Sequence, residues 1–363
     1  LRPGPYLRLA GSVDVTIDIG DGDTPAFTLA GDFSFEQVTL RDPDGPLGPL
    51  PPVKAIRIGA ANVSSTIRDP DSGNGISFSD GTGGFIFGPD GVAGVMSLTT
   101  DIDLGFASAG GTVVVEMNNT GRAVDETIEA GGKNIAIKFS STQGNIVRFA
   151  VLDASIEFPP FFSLSGDFTV TSVGNETLYG ARNVELFLGF VPGGGSFRDD
   201  AGEIKDGAIG LLVTNASLGM IERAATTPGG GKLRAVYAFG NASLIGLDGL
   251  TISGAITVRI NNIGEAVNRV IELPNDPAAE TPLDADGEDN NGNGIIDEDG
   301  ETAAIRVKID QGHIEEFSAG FDEFGEIVEG SEVVISAADI FTLSGAVRFT
   351  RSPTGRIDVD LPE

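Results

Sequence analysis

The sequence predicts an all-β fold: elongated tandem repeats of antiparallel sheet, built as a β-sandwich or a flattened β-solenoid, with almost no helix. Three observations lead there. Apolar and polar residues alternate with period two over many short segments, glycine-rich turn signals separate the segments, and the segments recur in the same order along the chain.

The alternation is clearest near the N-terminus. Phe27, Leu29, Gly31, Phe33 and Phe35 alternate with Thr28, Ala30, Asp32, Ser34 and Glu36, the pattern of a strand with one face buried and one wet. Met96, Leu98, Thr100, Ile102, Leu104 and Phe106 continue it against Ser97, Thr99, Asp101 and Asp103. Most of the 22 Phe fall on the apolar face of such segments and are therefore expected in the core. Asn118-Asn119-Thr120-Gly121 reads as a hairpin turn joining two strands. No stretch keeps a 3.6-residue period beyond two turns.

The repeat defines the organisation. FTLAGDF at 27–33 returns as FSLSGDF at 162–168 and as FTLSGAV at 341–347. In the same order, IGAANV at 58–63 returns as YGARNV at 179–184, and DGTGGFIF at 80–87 is matched to DGAIGLLV at 206–213. MNNTGRAVDETI at 117–128 returns as INNIGEAVNRVI at 260–271, and NIAIKF at 134–139 as AIRVKI at 304–309. YLRLAGSVDVTI matches NIVRFAVLDASIEF at 145–158 in pattern. The units are therefore 7–146, 147–325 with an insertion at about 275–303, and a partial unit over 326–363. Units that bury their ends on neighbours give an elongated rod.

Composition narrows the function classes. With 23 Lys plus Arg against 53 Asp plus Glu, the formal charge is −30, which repels nucleic acid in the absence of a basic stripe, and none is found. Cysteine is absent, which removes disulfides, thiolate catalysis and Cys-based zinc sites together. No run of 18 apolar residues is present, so no helical membrane span is expected. The opening LRPGPYLRLAG has neither an initiator Met nor a signal pattern, and reads as the start of a mature or excised piece.

The insertion carries the candidate site, in GEDNNGNGIIDEDGE at 287–301. With Asp289 at position 1 of a twelve-residue Ca²⁺ loop, Asn291, Asn293, the Ile295 carbonyl and Asp297 fall at positions 3, 5, 7 and 9. Gly294 then sits at the sharp turn. Position 12, ordinarily a bidentate Glu, is Gly300, which leaves Asp299 or Glu301 to complete the shell. This stretch resembles the isolated calcium loops of dockerin-like and thrombospondin type 3 sequences, and the resemblance implies Asp289, Asn291, Asn293, Ile295 and Asp297 as ligands. The competing reading is a solvated acidic linker, with eight carboxylates within 284–301 and no counter-charge. Asp21-Gly22-Asp23 and Asp69-Pro70-Asp71 read as ordinary Asx-turns.

Other chemistry is thinly represented. His313 is the only histidine and reads as a surface residue at a strand start, since no nucleophile elbow accompanies it. Sugar platforms are scarce, with no Trp and three Tyr. The sequons at Asn62, Asn118, Asn175, Asn215 and Asn241 read as turn residues. The FxLxGDFxFE and NNxGxAV segments resemble the tandem repeats of very large bacterial surface proteins, adhesin-like or cell-envelope fibres. That resemblance implies a non-enzymatic, extracellular or cell-surface segment of a fibre, sheath or adhesin stalk, stiffened by Ca²⁺. Its implied partners are like subunits or neighbouring repeats, with a cell-surface or matrix ligand as a further one. The alternative is a secreted carbohydrate-active or ligand-binding β protein with its site on an inserted loop.

Overall fold

The structure is a computed structural model and describes residues 7–17, 27–40, 53–69, 72–225, 231–278, 303–322, 326–327, 330–337, 341–351 and 354–361. The period-two segments form one antiparallel sheet, in which nearly every strand pairs with the next in sequence. It runs from β1 (Leu7–Ile17) through β2 (Phe27–Leu40), β3 (Val53–Arg68), β4 (Gly75–Gly88) and β5 (Gly91–Asp103) to β6 (Ser108–Asn118). There the chain leaves the sheet to make a separate hairpin, β7 (Val124–Ala130) and β8 (Lys133–Phe139), and re-enters as β9 (Ile146–Phe158) beside β6.

The pattern then repeats. β10 (Phe162–Val173), β11 (Glu176–Phe190), β12 (Ile209–Ala224), β13 (Lys232–Ile245) and β14 (Leu250–Asn261) follow in order, and the chain leaves again for the hairpin β15 (Val267–Glu272) and β16 (Ala304–Ile309). β14 is flanked by β17 (Ile314–Ala319) at one end and β18 (Val333–Ala337) at the other. These pair with β20 (Val347–Arg351) and β19 (Phe341–Gly345), and β21 (Ile357–Asp360) lies beyond β20. The result is a 17-stranded sheet whose second layer, among the described strands, consists of the two hairpins. One 3₁₀ turn, Ser141–Gln143, is the only helical element among the described residues.

Several expectations need correction. Asn118 to Gly121 is not a hairpin turn, because β6 pairs with β9 and not with β7. It is the point of departure from the sheet. There the buried Asn118 side chain accepts from the Thr120 backbone N–H at 3.0 Å and donates to the Arg122 carbonyl at 2.8 Å. Asn261 does the same in the second unit, accepting from the Ile263 N–H and donating to the Glu265 carbonyl. Leu104 and Phe106 lie beyond the end of β5, in an exposed turn at Gly105.

The match of 80–87 to 206–213 is displaced. Asp80 in β4 corresponds to Asn215 in β12, each in the left-handed region (φ 56 and 50) at a register shift. Asn62, Asp153 and Asn183 occupy the same kind of bulge in β3, β9 and β11. Short polar side chains tolerate that conformation best after glycine. Thus two of the sequon asparagines, Asn62 and Asn215, are bulge residues inside strands, and Asn241 lies within β13 opposite Ala255.

The largest correction concerns the core. On the face holding Phe27, Leu29, Phe33 and Phe35, the side chains have no covering layer among the described residues; Phe149 in β9 is 46% exposed, Leu188 in β11 56% and Phe317 in β17 43%. The hairpins pack on the opposite face. Ile128, Ile135 and Ile137 bury against Val38, Ala55, Ile86 and Val95, and Ile271, Ile305 and Val307 bury against Leu178, Ile221 and Ala235. Small residues make the seat: a Cβ on Gly84 would stand 3.2 Å from Ile128, and one on Gly219 only 2.3 Å from Val307 Cγ2. Gly219→Ala is therefore expected to lose about 1–3 kcal/mol in urea denaturation by overpacking. Gly11→Ala, with nothing within 4 Å, is expected to stay within about 0.5 kcal/mol.

Candidate functional site

Asp289, Asn291, Asn293, Ile295, Asp297, Asp299 and Glu301 all fall within 279–302, outside the described residues. What the structure gives is the place of the insertion. β15 and β16 pair along their full length, as β7 and β8 do, and the Leu273 N–H bonds the Ala303 carbonyl at 2.7 Å. The acidic segment thus springs from the tip of the second hairpin, where the first hairpin turns through Gly131 and Gly132. His313 is exposed just before β17. Asp69 accepts from the Ser72 N–H at 2.9 Å, three residues on; Pro70 and Asp71, like Asp21 to Asp23, lie outside the described residues.

Chemistry in the described residues concentrates where each hairpin meets the first strand of its unit. Arg148 in β9 is 5% exposed; it donates to Glu116 in β6 at 2.6 Å and to Glu272 on the second hairpin at 2.8 Å. Its Nε donates to Thr171 Oγ1 at 3.3 Å. The first hairpin makes the matching contact, Glu129 to Arg8 in β1 at 3.0 Å. Arg8 and Arg148 stand at corresponding positions of the matched segments YLRLAG and IVRFAV. Each hairpin is thereby clamped to the first strand of its own unit. Burial raises the pKa of Glu116, and the charge and hydrogen bond of Arg148 oppose that rise.

A second ion cluster fixes the other end of hairpin two. Glu176 accepts from Arg223 at 2.5 Å and from Arg269 on β15, and Arg223 also donates to Glu265. Burial pushes the Glu176 carboxyl up, yet the Arg269 and Arg223 bonds together outweigh it and leave its pKa below the ordinary value. A depressed carboxylate pKa means stability that is present above the unfolded value and lost as pH falls through the folded one. Glu176→Gln is accordingly expected to flatten the acid limb of a stability-versus-pH curve while leaving the neutral limb lower than wild type.

Beyond hairpin two the sheet and β16 enclose a half-open cavity of about 700 Å³, lined by Arg182, Arg259, Arg306, Lys308 and Arg348 with Glu316 and Asp310 among them. Arg182 is bonded to Asp167 at 3.2 Å, and Arg259 to Glu316 at 2.7 Å. The sequence offered no sign of this convergence, because the cations come from four strands, β11, β14, β16 and β20. Among the described residues no three His, Asp or Glu side chains converge as metal ligands would. Compared with known protein families, with curated proteins and with solved structures, the chain has no match.

Proposed function

We propose that this chain is a non-enzymatic structural segment of an extracellular or cell-surface fibre, sheath or adhesin stalk, in which repeat units are fused edge to edge and a Ca²⁺-loaded loop projects from the second hairpin. The observation that carries it is the junction between units. β6 of the first unit and β9 of the second pair at ten positions around a single register shift, so the sheet passes from one unit to the next without a break. Recurrence of the hairpin clamp at both units supports the same reading, since a stack of this kind gains stability from nearest-neighbour contacts.

Surface labelling of unpermeabilised source cells with an antibody raised against the chain tests the location. Signal confined to permeabilised cells would end the extracellular reading. The calcium part has its own test. Ligand binding to the folded state alone stabilises by about 2.7 kcal/mol at a free concentration a hundredfold above Kd, so chelation is expected to lower Tm. Asp289→Ala is expected to remove the heat of calcium binding in a titration, and an unchanged isotherm would refute the assignment of the loop.

A further inference from the structure

We propose that the sheet face left without a covering layer among the described residues binds a second copy of this chain, face to face, closing a two-layer sandwich of two sheets. Period-two alternation carries Phe35, Phe85, Phe149, Leu188, Phe317 and Phe349 onto one side of the sheet, and pairing register links these positions strand to strand from β2 to β20. Strand spacing near 4.8 Å over some fifteen strand positions gives a face on the order of 2,000 Å². Ordinary monomers expose apolar patches of about 300–600 Å², and a stable dimer needs about 800 Å² from each partner.

Charge selects the occupant. Although the chain carries −30, the charged residues that register assigns to this face are Lys54, Glu222, Lys232, Arg234, Glu315 and Arg351. Both carboxylates are already paired, Glu222 with Lys232 and Arg234, and Glu315 with Arg351. Two such faces can meet without burying an unpaired carboxylate. The acids on the far side of each sheet are then separated by two layers packed about 10 Å apart, more than the Debye length of about 8 Å at physiological salt. An anionic membrane surface is the poorer occupant, because the chain's mean field repels it and the Trp and Tyr anchors of lipid-facing surfaces are scarce.

The test is the mass in solution. At micromolar concentration the full chain is expected at twice 37.4 kDa by light scattering, weakening at low salt as the far-face acids come within range of one another. Phe149→Asp with Phe317→Asp is expected to halve the mass without loss of the β-sheet circular dichroism, and Ser155→Asp with Ser344→Asp, on the opposite face, to leave it unchanged. In a chain without native cysteine, Leu188→Cys supplies an independent reading: its thiol labelling slows as protein concentration rises. A monomeric wild type, labelling of Leu188→Cys that is independent of concentration, or a monomer that carries stoichiometric lipid overturns the proposal.

Discussion

Replacing Arg148 with alanine is expected to destabilise the protein by about 3–5 kcal/mol, the range for removing one partner of a buried ion pair. The guanidinium holds Glu116 on the sheet and Glu272 on the second hairpin, so its loss leaves two carboxylates facing each other. Arg8→Ala, at the corresponding contact but with 39% and 56% of its two side chains exposed, should cost no more than about 1 kcal/mol. The pH profile of the Arg148 variant carries a sign. Burial raises Glu116, and Arg148 is what opposes it. A raised carboxylate pKa stabilises below the unfolded value and is lost as pH rises through the folded one, so the deficit of the variant should shrink in acid and widen towards neutrality. A deficit independent of pH would mean that Arg148 acts through packing alone.

Ile137→Ala should cost about 2–5 kcal/mol, because the side chain is fully buried between the first hairpin and the sheet. The loss should also be local. Hydrogen exchange is expected to speed up in β7, β8 and the strands beneath them, β3 to β5, while β12, β13 and the second hairpin keep their protection. Leu152 packs against both hairpin cores, so Leu152→Ala should loosen both regions. Uniform acceleration across the sheet in the Ile137 variant would show that the two units unfold as one.

Much of the fold was legible in the sequence, because alternation and repetition are local signals. FTLAGDF and FSLSGDF are the opening segments of β2 and β10, and the insertion does lie between paired strands. Which face is covered was not legible. Phe33 and Phe35 look like core by polarity, and Gly59 and Gly84 look like turn residues, yet the covering element is a hairpin more than forty residues further along the chain. The recurrence of small residues, Gly59 with Gly180 and Gly84 with Gly219, each crowded by hairpin side chains, was the available signal. Asn118 misled because Asn-Asn-Thr-Gly is chemically a turn, and only the pairing of β6 with β9 shows that the chain exits there. The calcium ligands stay a matter of spacing, and the clamp of Arg148 to Glu272 joins segments that no local pattern relates.

The pair Glu116–Arg148 has a counterpart with its charges exchanged. Where the first hairpin leaves the sheet, a glutamate in β6 faces an arginine in β9; where the second leaves it, Arg259 in β14 faces Glu316 in β17. Tandem repeats fold under a standing hazard, since strands of similar sequence can pair with the wrong unit. Were β6 to recruit β17, Glu116 would meet Glu316; were β14 to recruit β9, Arg259 would meet Arg148. Like charges directly opposite one another are destabilising, so both errors are penalised while both native pairings are favoured. The exchange works as an address, which directs each strand to its native neighbour.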